Sequence, residues 1–369
     1  MNKLVFVSDI ATPQQIKFCK ALQKYYKAHF FFYDSSNASR GSWWSIDLGE
    51  NCLVLNDTWF TKPGIFAYRY YSPSLNKRLA ELNPDLLVLG GFTRPSNYFA
   101  YRWAIKNNKK VVVITERSRT PDGTLRKYGP IWALIKFAYR KVHHVLVTAE
   151  DIEEQFKHEF KFGERVSVCP YAADLDSYFY HTARIKKPNN NYVYLFANRL
   201  TNIYNPIDAI KIFKFIFQDY PESKLLMNAS GELRIECESL IRELSIENSI
   251  EFLDNIPNWE TLNEVYQRAD VLLFPAKFSN GNFTILEAMA SGLGIIISTN
   301  VLGIGKLIKD GKNGFVCDGN LIGYFYAIKQ FIEKPELFNE HMEINRSLVK
   351  QFTPDAVAQR FYDILNMHN

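Results

Sequence analysis

Long hydrophobic runs are missing from this 369-residue chain. No window approaches the roughly 18–20 apolar residues that a membrane-spanning helix needs. The amino terminus, MNKLVFVSDIATPQQ, carries one Lys and a short apolar run broken by Ser8 and Asp9, which reads as a first β-strand and not as a signal peptide. Cysteine is scarce. The five present (Cys19, Cys52, Cys169, Cys237 and Cys317) are scattered, with no Cys-x-x-Cys and no His pairing. That pattern excludes a disulfide frame and a zinc site and suggests reduced thiols in a cytoplasmic protein, soluble or peripheral on the inner face of the cytoplasmic membrane. Charge of one sign is also in short supply: the net value of +5 argues against a dedicated nucleic-acid binder. Internal repeats and low-complexity tracts are absent too, which excludes solenoids and tails.

What is present is ordinary for a globular protein, with 47% hydrophobic and 22% charged residues, but rich in aromatics at 15%. A chain of 369 residues exceeds the size at which single cores stop growing, roughly 250–300 residues, so two domains are expected. Apolar, β-rich runs at 4–7, 29–33, 52–55, 86–89, 111–115 and 145–148 alternate with helical patterns such as 12–26 and 97–106. A polar, basic hinge at 186–191 precedes a second series of strands at 192–196, 224–227, 250–252, 271–274 and 295–297. Alternation of this kind predicts parallel sheets with helices on both faces. The expected fold is α/β, with two Rossmann-like domains (1–185 and 186–345) facing across a cleft. The segment from Leu321 onward lacks strand signals, and a C-terminal helix within 346–369 is expected to pack back on the first domain.

The stretch 278–298, FSNGNFTILEAMASGLGIIIS, is the most informative. A polar loop opens into a short helix, 283–291, that ends at Gly292 and is followed by a β-branched run. Unpaired N–H groups and the dipole at a helix start make an anion site. Glu287, one turn further in and flanked by Ile285, Leu286, Ala288 and Met289, must be partnered or face a ligand, because burying a lone carboxylate is costly. A carboxylate there can accept from sugar or ribose hydroxyls. Arg199 ends the first strand of the second half, where a guanidinium suits a diphosphate; a surface Arg capping the sheet is the alternative.

Residues 191–318 resemble the nucleotide-sugar domain of the retaining glycosyltransferases of family 4, which have the GT-B fold. The matching segments are Asn198-Arg199-Leu200 with Asn205-Pro206, FLDNIP at 252–257, DVLLFP at 270–275, LEAMASG at 286–292 and DGKNGF at 310–315. Their order and spacing match the family's. In the first half, CPYAADLDSY at 169–178 is similar to the family's segment before the linker. The resemblance implies an acceptor-binding first domain and a nucleotide-sugar-binding second one. It implies that Arg199 holds the donor pyrophosphate and that Glu287 binds the ribose. The loop Asn280, Gly281, Asn282, Phe283 and Thr284 would lie along the phosphates and the transferred sugar. Asn198, Tyr204, Asn228, Ser230, Asn255 and Ser279 complete the expected donor set. The reaction implied is sugar transfer with retention from a UDP or GDP donor to a glycan or lipid-linked precursor of a cell-surface polysaccharide such as lipopolysaccharide. The leaving phosphate would deprotonate the acceptor.

This chain departs from the family at several of those positions. Ser279 stands where the first of two Glu residues contacts the sugar, and Tyr204 stands where a Lys binds phosphate. The glycine-rich turn reads Asn228-Ala229-Ser230-Gly231, Gly294 replaces a Pro, and Lys306 replaces a later Glu and is a candidate substitute cation. Asp174-Leu175-Asp176 spells the metal-binding DxD of another transferase fold, but it falls within the segment before the linker; no cofactor and no metal are expected.

On the acceptor side, seven basic residues (Arg117, Arg119, Arg126, Lys127, Lys136, Arg140 and Lys141) interleave with aromatic and aliphatic ones. Such a helix suits anionic headgroups or a lipid diphosphate, unless it is a core helix with a solvated basic face. Glu116, ending a strand, is placed to orient the acceptor hydroxyl and joins Arg199 and Glu287 as a candidate catalytic residue. Arg94, Arg117, Trp43 and Trp44 are further acceptor-side candidates. His143 and His144 lack metal-ligand spacing. The rival readings are a GT-B epimerase or hydrolase and a catalytically impaired nucleotide-sugar-binding relative.

Overall fold

Two parallel sheets organise the chain in a computed structural model that describes residues 1–34, 48–55, 57, 59–60, 70–116, 129–179, 191–254, 261–279 and 283–367. The chain divides into two compact units.

The first unit begins with β1 (Lys3–Ile10), α1 (Pro13–Leu22), β2 (Lys27–Asp34) and β3 (Cys52–Val54). A two-stranded hairpin, β4 (Trp59–Phe60) and β5 (Tyr70–Tyr71), then leads to α2 (Leu75–Leu82), β6 (Leu86–Gly90), α3 (Pro95–Lys106) and β7 (Lys110–Thr115). After these come α4 (Gly129–Ala138), β8 (His144–Val147), α5 (Glu150–Glu154) and β9 (Val166–Val168). Seven strands line up as β3-β2-β1-β6-β7-β8-β9, all parallel. Side chains alternate across the sheet, so Val5 and Val7 enter one core layer while Leu4 and Phe6 enter the other. Both faces are buried, which explains the near-continuous apolar strands.

The chain returns to this unit at its end. Helix α12 (Pro354–Met367) packs on α1 within the Leu4/Phe6 layer. Phe361 meets Phe18 edge-on at 6.2 Å, and Tyr362 stacks on Tyr25 at 4.9 Å. Lys24 pairs with Asp355 at 2.6 Å, and the Tyr25 hydroxyl donates to Gln359 at 2.7 Å.

The second unit carries β10 (Val193–Phe196), α6 (Pro206–Asp219), β11 (Lys224–Asn228), α7 (Arg234–Glu243), β12 (Ile250–Leu253) and α8 (Leu262–Arg268). It continues through β13 (Val271–Phe274), α9 (Phe283–Ser291), β14 (Gly294–Ser298), β15 (Phe315–Cys317), α10 (Leu321–Glu333) and α11 (Leu337–Val349). Its strand order, β12-β11-β10-β13-β14-β15, is that of a nucleotide-binding Rossmann sheet, parallel throughout. The order reverses between β10 and β13, and ligands bind beyond the carboxyl ends of strands at such a switch point.

Helix α9 is apolar nearly all round, with Ile285, Leu286, Ala288, Met289 and Ala290 at 0% exposure, so it lies within the core. It stops at Gly292, whose φ of +72° is left-handed and where a Cβ would sit 2.7 Å from Met342 Sδ on α11.

Several expectations shift. The first helix ends at Leu22 and not near residue 26, because the turn through Lys24 and Tyr26 bonds back to Ala21 and Leu22 before β2 starts at Lys27. Strands β9 and β15, three residues each, and the β4/β5 hairpin went unforeseen, since runs so short carry little periodicity. All five cysteines are thiols, with no disulfide among the described residues.

Candidate functional site

The carboxyl ends of β10 and β13 hold most of the expected donor residues. Asn198 and Arg199 follow β10 directly, with Asn198 buried and Arg199 exposed. Among the described residues Arg199 enters no ion pair. The next residue, Leu200, is clamped: its N–H donates to Ser230 O at 2.8 Å, and its carbonyl accepts from Leu233 N–H at 2.9 Å. This clamp needs Gly231. A Cβ there would lie 2.4 Å from Leu200 O, and its φ of +148° disfavours side chains. Asn228 shapes the same turn, donating to Ala197 O at 3.2 Å and accepting from Ser230 N–H at 2.8 Å. The turn after β11 therefore fixes the backbone that presents Arg199.

Opposite stands α9. Thr284, in its first turn, donates to Asn198 Oδ1 at 3.5 Å. Glu287, in its second, is 3% exposed. The Tyr266 hydroxyl on α8 donates to Glu287 Oε2 at 2.6 Å, and the Tyr178 hydroxyl bonds the same carboxyl. Tyr178 ends a short 3-10 turn, Asp176–Tyr178, held by an Asn263 amide bond to Ser177 O at 3.2 Å and by an edge-on ring contact with Tyr266 at 5.3 Å. Burial pushes the Glu287 carboxyl up to about 7, against the downward pull of the two phenols. A buried carboxylate with its own hydroxyl donors is a ready acceptor for a diol.

The other donor positions are less open to a ligand. Tyr204, half-buried, packs its ring on Phe274 at 6.1 Å. Ser279 is buried and pairs with Val301 in a β-bridge, its N–H donating to Asn300 O at 3.3 Å and its carbonyl accepting from Leu302 N–H at 2.7 Å. Phe283 opens α9, and Ser230 is exposed beside the clamp. Asn255, Asn280, Gly281, Asn282, Arg117, Trp43 and Trp44 lie outside the described residues.

Arg94 and Glu116 belong to the first unit, beyond the carboxyl ends of β6 and β7. Burial works against the Arg94 charge, but an ion pair with Asp9 at the end of β1 outweighs it and holds the guanidinium firmly charged. Glu116 is exposed, and the Tyr171 phenol stands within electrostatic range of Glu116, Asp9 and Arg94. Asp174, the first Asp of the DxD tripeptide, pairs with Lys17 at 2.6 Å. His144 shares a 2.9 Å hydrogen bond with Ser167.

A model of the family described as Glycosyl transferases group 1 matches residues 181–366. The chain belongs to that family. Among curated relatives, an uncharacterized glycosyltransferase of Haemophilus influenzae is 25% identical over 157 residues, 42% of this chain and 44% of that protein. A D-inositol 3-phosphate glycosyltransferase of Corynebacterium urealyticum is 27% identical over 184 residues, 46% of this chain and 42% of that one. The chain thus spans less than half the length of these relatives. Among solved structures, Anabaena Alr3699/HepE in complex with UDP is similar over 100% of both chains, with a TM-score of 0.75 at 15% identity. That likeness shows the fold, the GT-B architecture of two Rossmann-like units.

Of the expected pair, Arg199 follows β10 and Glu287 lies on α9, the helix that follows the neighbouring strand β13. The sequence reading missed Tyr178 and Tyr266, the two phenols that bond the Glu287 carboxyl. Nothing local marks the phenols, since each reaches Glu287 from a distant part of the sequence. The one available signal was the question of what satisfies a carboxylate inside an apolar helix.

Proposed function

We propose that this chain is a retaining glycosyltransferase that takes a sugar from a nucleotide-sugar and passes it to a glycan or lipid-linked precursor of a cell-surface polysaccharide. The observation that carries the reading is Glu287, buried on the second turn of α9 at the switch point where Arg199 follows β10. The ribose diol would hydrogen-bond to Glu287, and Arg199 would meet the diphosphate. UDP is the first donor base to test, given the UDP complex of the Anabaena neighbour; GDP is the second.

In the reaction the bond between the anomeric carbon and the phosphate oxygen breaks. The acceptor oxygen bonds to that carbon on the same face, and its proton passes to the departing diphosphate. Arg199 stabilises the charge that develops there. No metal is required in this scheme. The exposed Leu134 and Phe137 on α4, beside Lys136, Arg140 and Lys141, favour a lipid-linked acceptor at an anionic membrane.

Thermal-shift titration against UDP, GDP, ADP and their sugar conjugates, with and without EDTA, tests the donor half. A ligand that binds only the folded state raises the melting temperature by mass action. A shift insensitive to EDTA and abolished in Arg199→Met is expected; no shift with any nucleotide overturns the reading. Two observations favour a second reading, a donor-binding relative with weakened transfer: Tyr204 packs on Phe274, and Ser279 is held in a backbone bridge. That reading expects nucleotide binding without sugar transfer, and donor consumed without acceptor would point to a hydrolase or epimerase.

A further inference from the structure

We propose that Lys277 supplies the second cation of the donor diphosphate site, the charge that Tyr204 does not carry. The proposal rests on the nucleotide-sugar reading above. Tyr204 is neutral, half-buried and turned against Phe274, so its position offers a phosphate no charge. Lys277 comes three residues after Phe274, the end of β13. The segment it belongs to is stitched to the turn 201–205 that follows Arg199. Asn205 Nδ2 donates to Pro275 O at 3.2 Å, Lys277 N–H donates to Ile203 O at 2.8 Å, and Lys277 Nζ donates to Asn202 Oδ1 at 2.6 Å. The segments after the two strands at the switch point are thereby tied together, with Arg199 two residues before the turn and Lys277 bonded to it.

The partner of the ammonium decides its use. An amide oxygen accepts one of the three N–H donors and cancels no charge, leaving two donors and a full positive charge on an exposed side chain. Asn202 thus holds the lysine without neutralising it. Lys306, the other candidate, stands on the turn Gly303–Leu307 after β14, and among the described residues no hydrogen bond ties its side chain to the 201–205 turn. A cation in this place would meet the β-phosphate, where negative charge grows as the sugar leaves.

Calorimetric titration with UDP and UMP, or the matching pair for whichever base binds best, separates the β-phosphate from the rest of the nucleotide. Lys277→Met should weaken UDP about tenfold or more and leave UMP unchanged, as expected for loss of a charge-assisted hydrogen bond. Lys277→Arg should retain most of the affinity, and Tyr204→Lys added to Lys277→Met should restore part of it. Asn202→Ala, which frees the ammonium without removing it, should fall between. Equal losses for UDP and UMP would mark Lys277 as structural and overturn the proposal, as would a UDP-selective loss in Lys306→Met but not in Lys277→Met. Failure of the native protein to bind any nucleoside diphosphate overturns the nucleotide-sugar reading itself and this proposal with it. Native binding with an unaffected Lys277→Met overturns this proposal alone.

Discussion

Tyr266 on α8 and Glu287 on α9 share a 2.6 Å hydrogen bond in which the phenol donates to a carboxyl that solvent barely reaches. The bond joins two helices that flank β13 in sequence, and it pulls the carboxyl's pKa down against the larger upward push of burial.

Tyr266→Phe removes one of the two hydroxyl donors to Glu287. The loss should be larger at pH 8, where the carboxyl is ionised and needs its donors, than at pH 5, where it is protonated. A cost of about 1–3 kcal/mol is expected at the higher pH. Urea denaturation of the variant and the native protein at both values measures the difference. Equal losses would mean that the phenol serves only as packing.

The same carboxyl makes stability fall with rising pH. Its ordinary value is 4.5 and burial raises it to about 7, so between these values the folded state holds a proton that the unfolded chain has released. Stability from this group is complete below about 4.5 and declines until about 7, by at most ~3 kcal/mol. Glu287→Gln should flatten that decline, as read from denaturation midpoints across the range. In the same variant, nucleotide affinity should drop about tenfold or more with loss of the ribose contact. Full sugar transfer by Glu287→Ala with a verified donor would remove Glu287 from the site.

Gly231→Ala should damage stability and donor binding together. The added methyl would collide with the Leu200 carbonyl, at a cost of roughly 1–3 kcal/mol, and would move the backbone that carries Arg199. Gly319→Ala is the control: its φ is +95°, yet nothing lies within 4 Å of the new Cβ. Its loss should be only about 1 kcal/mol, with nucleotide affinity intact. Calorimetric unfolding and UDP titration of both variants check this. Unaltered nucleotide affinity in Gly231→Ala would separate the clamp from the site.

Leu134 and Phe137 are 68% and 66% exposed on α4, and the Arg140 guanidinium lies 4.4 Å from the Phe137 ring. Flotation with phosphatidylglycerol vesicles should carry the native protein, while pure phosphatidylcholine should not. Replacing both apolar residues with Ser should abolish flotation without lowering the melting temperature, because neither side chain is in the core. Equal flotation of the double variant would show that basic charge alone is responsible.

Much of the fold was readable because parallel strands buried on both faces announce themselves as apolar runs. For β13 (Val271–Phe274) and α9 (Phe283–Ser291) the expected and observed bounds coincide. Glu287 was legible for the opposite reason, as a charge where the pattern demanded an apolar residue. Its phenol partners were not, since nothing in the sequence around Tyr178 or Tyr266 points to the carboxyl they reach only after the chain folds. Lys277 escaped notice because its meaning depends on Asn202 and Ile203, which lie on another strand's turn. Arg94 looked like a cation awaiting a ligand, and only the fold shows Asp9 beside it.

The pairing of α1 with α12 sets an order on biogenesis. The second unit's elements, β10 to α11, follow one another without interruption, so all of its core can assemble while the chain is still emerging. The first unit begins to be translated earlier yet lacks Phe361 and Leu365 from the layer around Leu4 and Phe18 until α12 has emerged. Until then α1 exposes an apolar face that α12 covers. The half of the protein made first is therefore the half completed last, and a fragment ending before α12 would be left with an open core.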